Sequence, residues 1–289
     1  MMSSATSAAG DPGSTSLPAR FAAAVRLARP LNCAMSASAV LLGAWTVTWQ
    51  VPAAVLCSCI ACAVLLTAGG NALNDYADAV IDRLNHPERP IPSGQIPRRA
   101  AWFLAAAELA LGLVAGLVIS LGCGSIAFLA VVLLIAYEKA GLKSSGLPGN
   151  ITISALTAML FVMGGAAAHD PVRPASLAAL AFIATLAREI IKDVEDVGGD
   201  ISRRTWPMRV GLKRARIAAA FLLTLAVILS PWPYFSGVLG IGYLAVIAVA
   251  DMAFAWTAVV LFRPPRRASR AAKLAMLAVL GAILIGLPT

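Results

Sequence analysis

The sequence predicts an all-α, polytopic membrane protein, and its composition carries that prediction. Hydrophobic residues make up 60% of the 289-residue chain, whereas charged residues make up only 13%. The charged share is about half of the roughly 25% that is usual in soluble proteins. The mean hydropathy is +0.82. A soluble fold of this size could not cover itself with so few polar side chains, so we expect the chain to be embedded in lipid.

Apolar runs long enough to cross a bilayer core, which takes about 20 residues in a helix, recur along the whole chain. We predict a bundle of nine transmembrane helices from them. The runs lie roughly at 31–50, 52–74, 100–120, 122–137, 150–168, 175–195, 214–231, 236–262 and 270–288. Residues 1–19, rich in Ser, Ala and Gly, are predicted to form a disordered N-terminal tail. Residues 20–289 are predicted to form the membrane domain.

The distribution of basic residues predicts how these helices are oriented. With a cytoplasmic N-terminus, 22 of the 23 Lys and Arg residues fall on the cytoplasmic side, and Arg173 is the exception. Basic residues accumulate in cytoplasmic loops, so we attribute the net charge of +9 to topology and not to nucleic-acid binding. The C-terminus is then outside, and the two long polar loops, 83–99 and 197–213, are predicted to form a cytoplasmic cap.

Two of the predicted helices carry matching rows of acidic and amide side chains. Within each row the spacing is i, i+4, i+7 and i+11, which places the four side chains on one stripe of a helix. Each residue of the second row lies 118 positions after its counterpart. The first row is Asn71, Asp75, Asp78 and Asp82, and the second row is Glu189, Asp193, Asp196 and Asp200.

The repulsion within these rows indicates a site for divalent cations. Neighbouring carboxylates about 6 Å apart repel by roughly 3 kcal/mol at an effective dielectric of 20. Mg²⁺ prefers a few carboxylates together with water and substrate phosphate oxygens. The alternative is a solvated acidic face that binds no metal. Basic residues that fall on the same side are Lys143, Arg188, Lys192, Arg203 and Arg204.

Metal ions and basic side chains together can neutralise a diphosphate as it leaves its substrate. The apolar bundle beside them could hold a long hydrocarbon chain. We therefore predict an enzyme that acts on a lipid diphosphate at the cytoplasmic face of the membrane. A transporter is the alternative from another class, since ionisable groups within membranes often mark ion pathways. The acids at one cytoplasmic edge favour the enzyme.

The motifs resemble the signatures of the UbiA superfamily of intramembrane prenyltransferases. Asn74-Asp75-x-x-Asp78-x-x-x-Asp82, followed by Arg89-Pro-Ile-Pro-Ser-Gly, is similar to the first signature, and Asp196-x-x-x-Asp200 is similar to the second. Nine helices are also the architecture of that superfamily. The resemblance implies metal-assisted ionisation of a prenyl diphosphate, followed by capture of the allylic cation by an acceptor.

The resemblance also implies roles for individual residues. The implied Mg²⁺ ligands are Asn71, Asp75, Asp78, Asp82, Asp193, Asp196 and Asp200. The implied catalytic residues are Asp75, Asp78, Asp196, Asp200, Lys143 and Tyr137, with Tyr137 near the developing cation. The implied substrate-binding residues are Arg29, Asn32, Asn71, Arg83, Arg89, Lys143, Arg188 and Lys192.

Within the superfamily, two segments are most similar to the digeranylgeranylglyceryl phosphate synthases of archaeal ether-lipid synthesis. They are Arg29-Pro-Leu-Asn32-Cys33 and the stretch 188–200. The resemblance implies transfer of a geranylgeranyl group to the hydroxyl of geranylgeranylglyceryl phosphate, a lipid-soluble acceptor drawn from the membrane. Arg29 and Lys192 are candidates for binding its headgroup. The alternative acceptor is an aromatic ring such as 4-hydroxybenzoate, a naphthoate or homogentisate. No oligomeric state is predicted.

Overall fold

The structure is a computed structural model that describes residues 17–197, 205–262 and 268–287. Every regular element within these ranges is helical, which confirms the all-α prediction. The helices are α1 (Leu17–Ala28), α2 (Pro30–Trp45), α3 (Ala53–Asn85), α4 (Arg98–Ile119), α5 (Leu121–Lys139), α6 (Leu147–Ala167), α7 (Ala175–Asp196), α8 (Trp206–Val210), α9 (Leu212–Leu229), α10 (Trp232–Phe235), α11 (Ile241–Val260) and α12 (Ala268–Gly286). Helix α1 begins inside the segment assigned to the N-terminal tail, whose residues 1–16 lie outside the described ranges.

The long helices make the chain a multi-pass membrane protein. In the described ranges, seven helical segments are long and apolar enough to cross a membrane: α3, α4, α5, α6, Leu212–Phe235, α11 and α12. Each of the nine predicted runs overlaps one long helix, but two of these helices are not among the seven. Helix α2 has only 16 residues, and α7 carries charged side chains along its last turns.

Helix α3 is much longer than a membrane crossing requires. Its 33 residues correspond to about 50 Å at 1.5 Å per residue, whereas the hydrocarbon core is about 30 Å thick. The apolar part, with the buried residues Cys59, Ala63 and Leu66, comes first, and the acidic row follows in the last four turns. The row therefore lies at one end of the apolar region.

The helices form two packed halves that share a central seam. Buried side chains of α1 to α6 make one core, and those of α7, α9, α11 and α12 make another. A third cluster joins α2 and α6 to α7, α11 and α12. The functional cavity described below lies between these halves.

Close packing of α2 on α6 depends on two glycines. A Cβ atom on Gly164 would lie 2.0 Å from the carbonyl oxygen of Val40 and 2.7 Å from the amide nitrogen of Ala44. A Cβ atom on Gly43 would lie 2.3 Å from the carbonyl oxygen of Phe161. Because the neighbouring atoms belong to the backbone, they cannot rotate away. Small residues at these positions let the two helices touch, as in other membrane-protein helix pairs.

We predict that Gly164→Ala destabilises the protein by about 1–3 kcal/mol, because α2 and α6 must separate to admit the methyl group. Thermal unfolding in detergent measures the change as a lower melting temperature. Gly281→Ala is the matched control, since its Cβ would meet no atom within 4 Å and Ala favours a helix over Gly by about 1 kcal/mol. Equal melting temperatures for the two variants would contradict the packing argument.

Candidate active site

A cavity of about 1140 Å³ lies between the two halves of the bundle and combines a charged end with an apolar remainder. Helices α3 and α7 contribute acidic side chains to its wall, and basic side chains come from several other segments. Its apolar wall includes Leu66, Leu134, Met159, Leu160, Phe254 and Ile283. Such a cavity suits an amphiphile with a charged head and a long apolar tail.

The acidic row of α3 is buried, and each carboxylate pairs with a cation from a different segment. Asp75, Asp78 and Asp82 are each less than 10% exposed. Their ion pairs, with N to O distances, are Arg29–Asp75 (2.5 Å), Lys143–Asp78 (2.7 Å) and Arg89–Asp82 (2.7 Å). A buried charge is costly unless it is paired and hydrogen-bonded. The three cations therefore compensate the repulsion that the sequence predicted along this row.

Lys143 reaches Asp78 from the loop between α5 and α6. Two glycines with positive φ, Gly141 at 74° and Gly146 at 83°, shape this loop. Glycine adopts positive φ without the steric cost that a Cβ atom brings. The chain can thus turn back on both sides of Lys143, so that the side chain points towards α3.

Glu138 is a site residue that the sequence interpretation missed. Its side chain is only 4% exposed, it accepts a hydrogen bond from Asn74 Nδ2 at 2.7 Å, and its Oε2 lies 3.1 Å from Lys143 Nζ. It therefore ties the first acidic motif to the loop that carries Lys143. A signal was present in the sequence, because Glu138 is the one acid of α5 and follows Tyr137 directly.

The acidic row of α7 is held differently. Glu189 is buried, with Arg188 Nη1 at 2.5 Å and Lys192 Nζ at 3.6 Å from its carboxylate. Asp193 accepts a hydrogen bond from Asn150 Nδ2 at 2.8 Å. Asp196 is exposed at the end of the helix and lines the cavity.

Most of the predicted site residues share this cavity. Those that line it are Arg29, Asn32, Asn71, Asp78, Asp82, Arg89, Tyr137, Lys143, Arg188, Lys192 and Asp196. Three predicted residues that the structure describes do not form part of the wall, namely Asp75, Arg83 and Asp193. Arg83 is exposed on the outside of α3. Asp200 lies outside the described residues.

The donor chemistry of the two rows fits Mg²⁺. Their side chains offer oxygen ligands, which a hard cation prefers, and Asp78 and Asp82 of α3 line the same cavity as Asp196 of α7. Within the described ranges, no three Asp, Glu, His or Cys side chains are gathered into a group that could hold a metal by themselves. A metal at this site would thus share its coordination with ligand oxygens and water.

The aromatic ring of Tyr137 also faces the cavity. Lys143 Nζ lies 5.9 Å from the centroid of this ring, which is within the range of a cation–π contact. The face of the ring is therefore placed where a positive charge can be stabilised.

A second basic group lines the cavity on the side of α2, α7 and α12. Lys273 Nζ donates a hydrogen bond to Asn32 Oδ1 at 2.7 Å, and both residues line the cavity together with Arg29 and Arg188. The sequence interpretation counted Lys273 only as a determinant of topology. Lys273 lies about one turn further into α12 than Arg270. That position is the sequence signal that could have identified it as a site residue.

Comparison with known proteins identifies the family. Residues 31–280 match the UbiA prenyltransferase family. The chain belongs to this family. The predicted superfamily membership is therefore confirmed, and the protein is a prenyltransferase.

The chain is similar over most of its length to archaeal proteins named digeranylgeranylglyceryl phosphate synthase. The protein of Methanosarcina mazei is 40% identical over 228 residues, which cover 77% of this chain and 78% of that protein. The protein of Methanopyrus kandleri is 42% identical over 223 residues, covering 76% and 81% of the two chains. The protein of Natronomonas pharaonis is 36% identical over 267 residues, covering 91% and 95%.

Solved structures share the fold. A structure of a digeranylgeranylglyceryl phosphate synthase in membranes matches with a TM-score of 0.75 and 32% identity, covering 92% of this chain and 98% of that chain. A UbiA homologue from Archaeoglobus fulgidus, solved with GPP and Mg²⁺ bound, matches with a TM-score of 0.65 and 16% identity, covering 91% and 98%. At that identity, the second likeness shows the fold alone.

We predict that Lys143→Met lowers the free energy of unfolding by roughly 3 kcal/mol, because Asp78 and Glu138 are left buried without their cation. Adding Glu138→Gln to this variant should restore at least about 1 kcal/mol, since one of the two uncompensated charges is removed. Melting temperatures in detergent without ligands measure both effects. Lys139→Met is the control, because this neighbouring lysine is exposed. Additive effects of the two substitutions would contradict the coupling.

Proposed function

We propose that this prenyltransferase transfers a geranylgeranyl group from its diphosphate to the free hydroxyl of geranylgeranylglyceryl phosphate in a Mg²⁺-dependent reaction. The C1–O bond of the donor breaks and releases diphosphate, a new ether bond joins C1 to the acceptor oxygen, and the proton of the acceptor hydroxyl is released. Relatives that share 36–42% identity over most of the chain carry the name of this synthase. The observation that carries the proposal is that acidic residues of both rows line one cavity together with many apolar side chains.

The charged end of the cavity would receive the donor diphosphate. Arg89 and Lys143 would bind its oxygens, because both line the cavity and present their charges next to Asp82 and Asp78. Bound Mg²⁺ would supply positive charge that stabilises the departing diphosphate. The proposed ligands are Asn71, Asp75, Asp78 and Asp82 of the first row with Asp193, Asp196 and Asp200 of the second.

The rest of the cavity would protect the reacting carbon. Apolar side chains such as Leu134 and Phe254 line the cavity and would exclude water from the donor chain, which prevents hydrolysis of a reactive allylic cation. The ring of Tyr137, already in contact range of one cation, would stabilise positive charge on the prenyl group as it develops.

The proposal predicts a defined product from purified components. We expect purified protein in detergent, with geranylgeranyl diphosphate and Mg²⁺, to convert geranylgeranylglyceryl phosphate into the diether and to leave 4-hydroxybenzoate unmodified. Mass spectrometry of the lipid product measures the outcome. Removal of divalent ions with a chelator should abolish turnover, because the two acidic rows would repel the substrate diphosphate.

Two substitutions test the role of the acidic rows in the same assay. Asp78→Asn and Asp196→Asn should each lower turnover by at least about 100-fold, since each removes one negative oxygen donor from the metal site. Unchanged melting temperatures, relative to wild type, would show that the fold is intact. Alkylated 4-hydroxybenzoate as the main product would favour an aromatic acceptor. Full activity of either variant, or of protein in chelator, would contradict the mechanism.

We further propose that residues 20–289 form one catalytic membrane domain with nine spans, including α2 and α7, and that its active site faces the cytoplasm. The support is the distribution of 22 of 23 basic residues on one side of such a bundle. In intact cells, a membrane-impermeant maleimide should label Arg173→Cys and should not label Lys213→Cys, in a chain whose five native cysteines are replaced. The opposite labelling pattern would reverse the orientation.

A further inference from the structure

A lysine of helix α12 lines the cavity. It is not one of the cations that pair with the acidic row of α3. Lys273 is the sixth residue of α12, about 8 Å along the helix from its first residue. Its ammonium group donates a hydrogen bond to the neutral amide oxygen of Asn32 at 2.7 Å. A charge at such a position is costly, and intramembrane ionisable residues are usually retained for a function.

Lys273 differs from other cations of the cavity in its contacts with carboxylates. Arg89, Lys143 and Arg188 each lie within 2.7 Å of a carboxylate oxygen. In the part of the chain that the structure describes, Lys273 forms no ion pair with a carboxylate. Arg29, Arg188 and Glu189 line the same cavity as Lys273, and two of these three residues are cations.

Two further hydrogen-bond donors belong to residues that line the cavity together with this lysine. Because Asn32 Oδ1 accepts from Lys273, the amide Nδ2 of Asn32 is the donor end of that side chain. Arg188 uses Nη1 to contact Glu189, whereas its buried Nε has no hydrogen-bond partner among the described residues. An excess of positive charge with unsatisfied donors is the arrangement that an anion with several acceptor oxygens completes.

We propose that Lys273, Asn32 and Arg188 form a second anion subsite, which binds the phosphomonoester headgroup of the acceptor lipid. This inference rests on the proposed function and adds to it the residues that select the acceptor. A phosphomonoester carries about −1.5 to −2 charge near neutral pH and three acceptor oxygens. It would therefore neutralise Lys273 and satisfy the donors around it.

This subsite would hold the phosphate of the acceptor at a different part of the cavity from the diphosphate of the donor. Arg89 and Lys143, on the loops after α3 and α5, face the acidic row of α3, whereas Lys273, Asn32 and Arg188 belong to α12, α2 and α7. The phosphate and the free hydroxyl of the acceptor sit on one three-carbon glycerol unit. Holding the phosphate at Lys273 would therefore restrict where the hydroxyl can lie in the cavity, which is a large part of what positioning residues contribute.

The test compares two acceptors that differ only in the phosphate, geranylgeranylglyceryl phosphate and geranylgeranylglycerol, at saturating geranylgeranyl diphosphate and Mg²⁺. We expect Lys273→Met to raise KM for the phosphorylated acceptor by roughly 10- to 100-fold, the cost of losing a hydrogen bond to a charged group. The preference for the phosphorylated acceptor should fall by the same factor, and KM for the donor should not change. Lys273→Arg should retain most of the preference, and Lys139→Met is the charge-matched control.

A second variant keeps the test decisive if Lys273→Met does not fold. Asn32→Asp would place a carboxylate beside Lys273, so that the lysine gains an ion pair and the acceptor phosphate meets a like charge. It should show the same loss of preference as Lys273→Met. An unchanged preference in both variants, or an equal rise of KM for donor and acceptor, would overturn the inference.

Binding without turnover distinguishes this inference from the proposed function. Labelled geranylgeranylglyceryl phosphate should bind to wild-type protein in the presence of chelator, and Lys273→Met should weaken that binding by the same factor. Equal binding by the two proteins would overturn the subsite even if the reaction is as proposed. Weaker binding by Lys273→Met without any ether product from wild type would support the subsite and contradict the proposed transfer.

Discussion

Compensation of buried carboxylates is the interaction on which the rest of this structure depends. Asp75, Asp78 and Asp82 lie on one face of α3 and are almost fully buried, so each requires a cation nearby. The cations come from the turn before α2, from the loop after α5 and from the loop after α3. The same ion pairs that make the acidic row tolerable therefore fix the segments that surround the cavity.

The sequence alone was sufficient to predict the features that depend on helical periodicity. The row on α3 and the row on α7 follow from spacing within a helix, and the structure brings Asp78 and Asp196 to one cavity. Glu138 and Lys273 were missed for a physical reason. Their contacts, with Asn74 across 64 residues and with Asn32 across 241 residues, exist only through helix packing, which no local pattern encodes.

The assignment of membrane spans shows a similar limit of prediction from local sequence. All nine apolar runs became helices, yet α2 is short and α7 is charged at one end, so length and composition alone do not mark them as spans. These two helices flank the cavity and supply Asn32, Arg188 and Glu189 to its wall. The charged side chains that α7 provides to the site weaken its membrane signal, whereas α3 keeps a strong one because its acidic row follows a separate apolar stretch.

The two rows have the same spacing, and corresponding residues of the two rows also have similar surroundings. At 100° per residue, the second member of each row stands about 40° from the first, at the edge of the stripe. These edge members are Asp75 and Asp193, and both lie off the cavity wall, fixed by Arg29 and by Asn150. Asp78 and Asp196 stand about 60° from them, at the opposite edge of each stripe, and line the cavity. Opposite edges of a single helical stripe thus differ in their surroundings: the residue at one edge contacts a neighbouring segment, and the residue at the other edge lines the cavity.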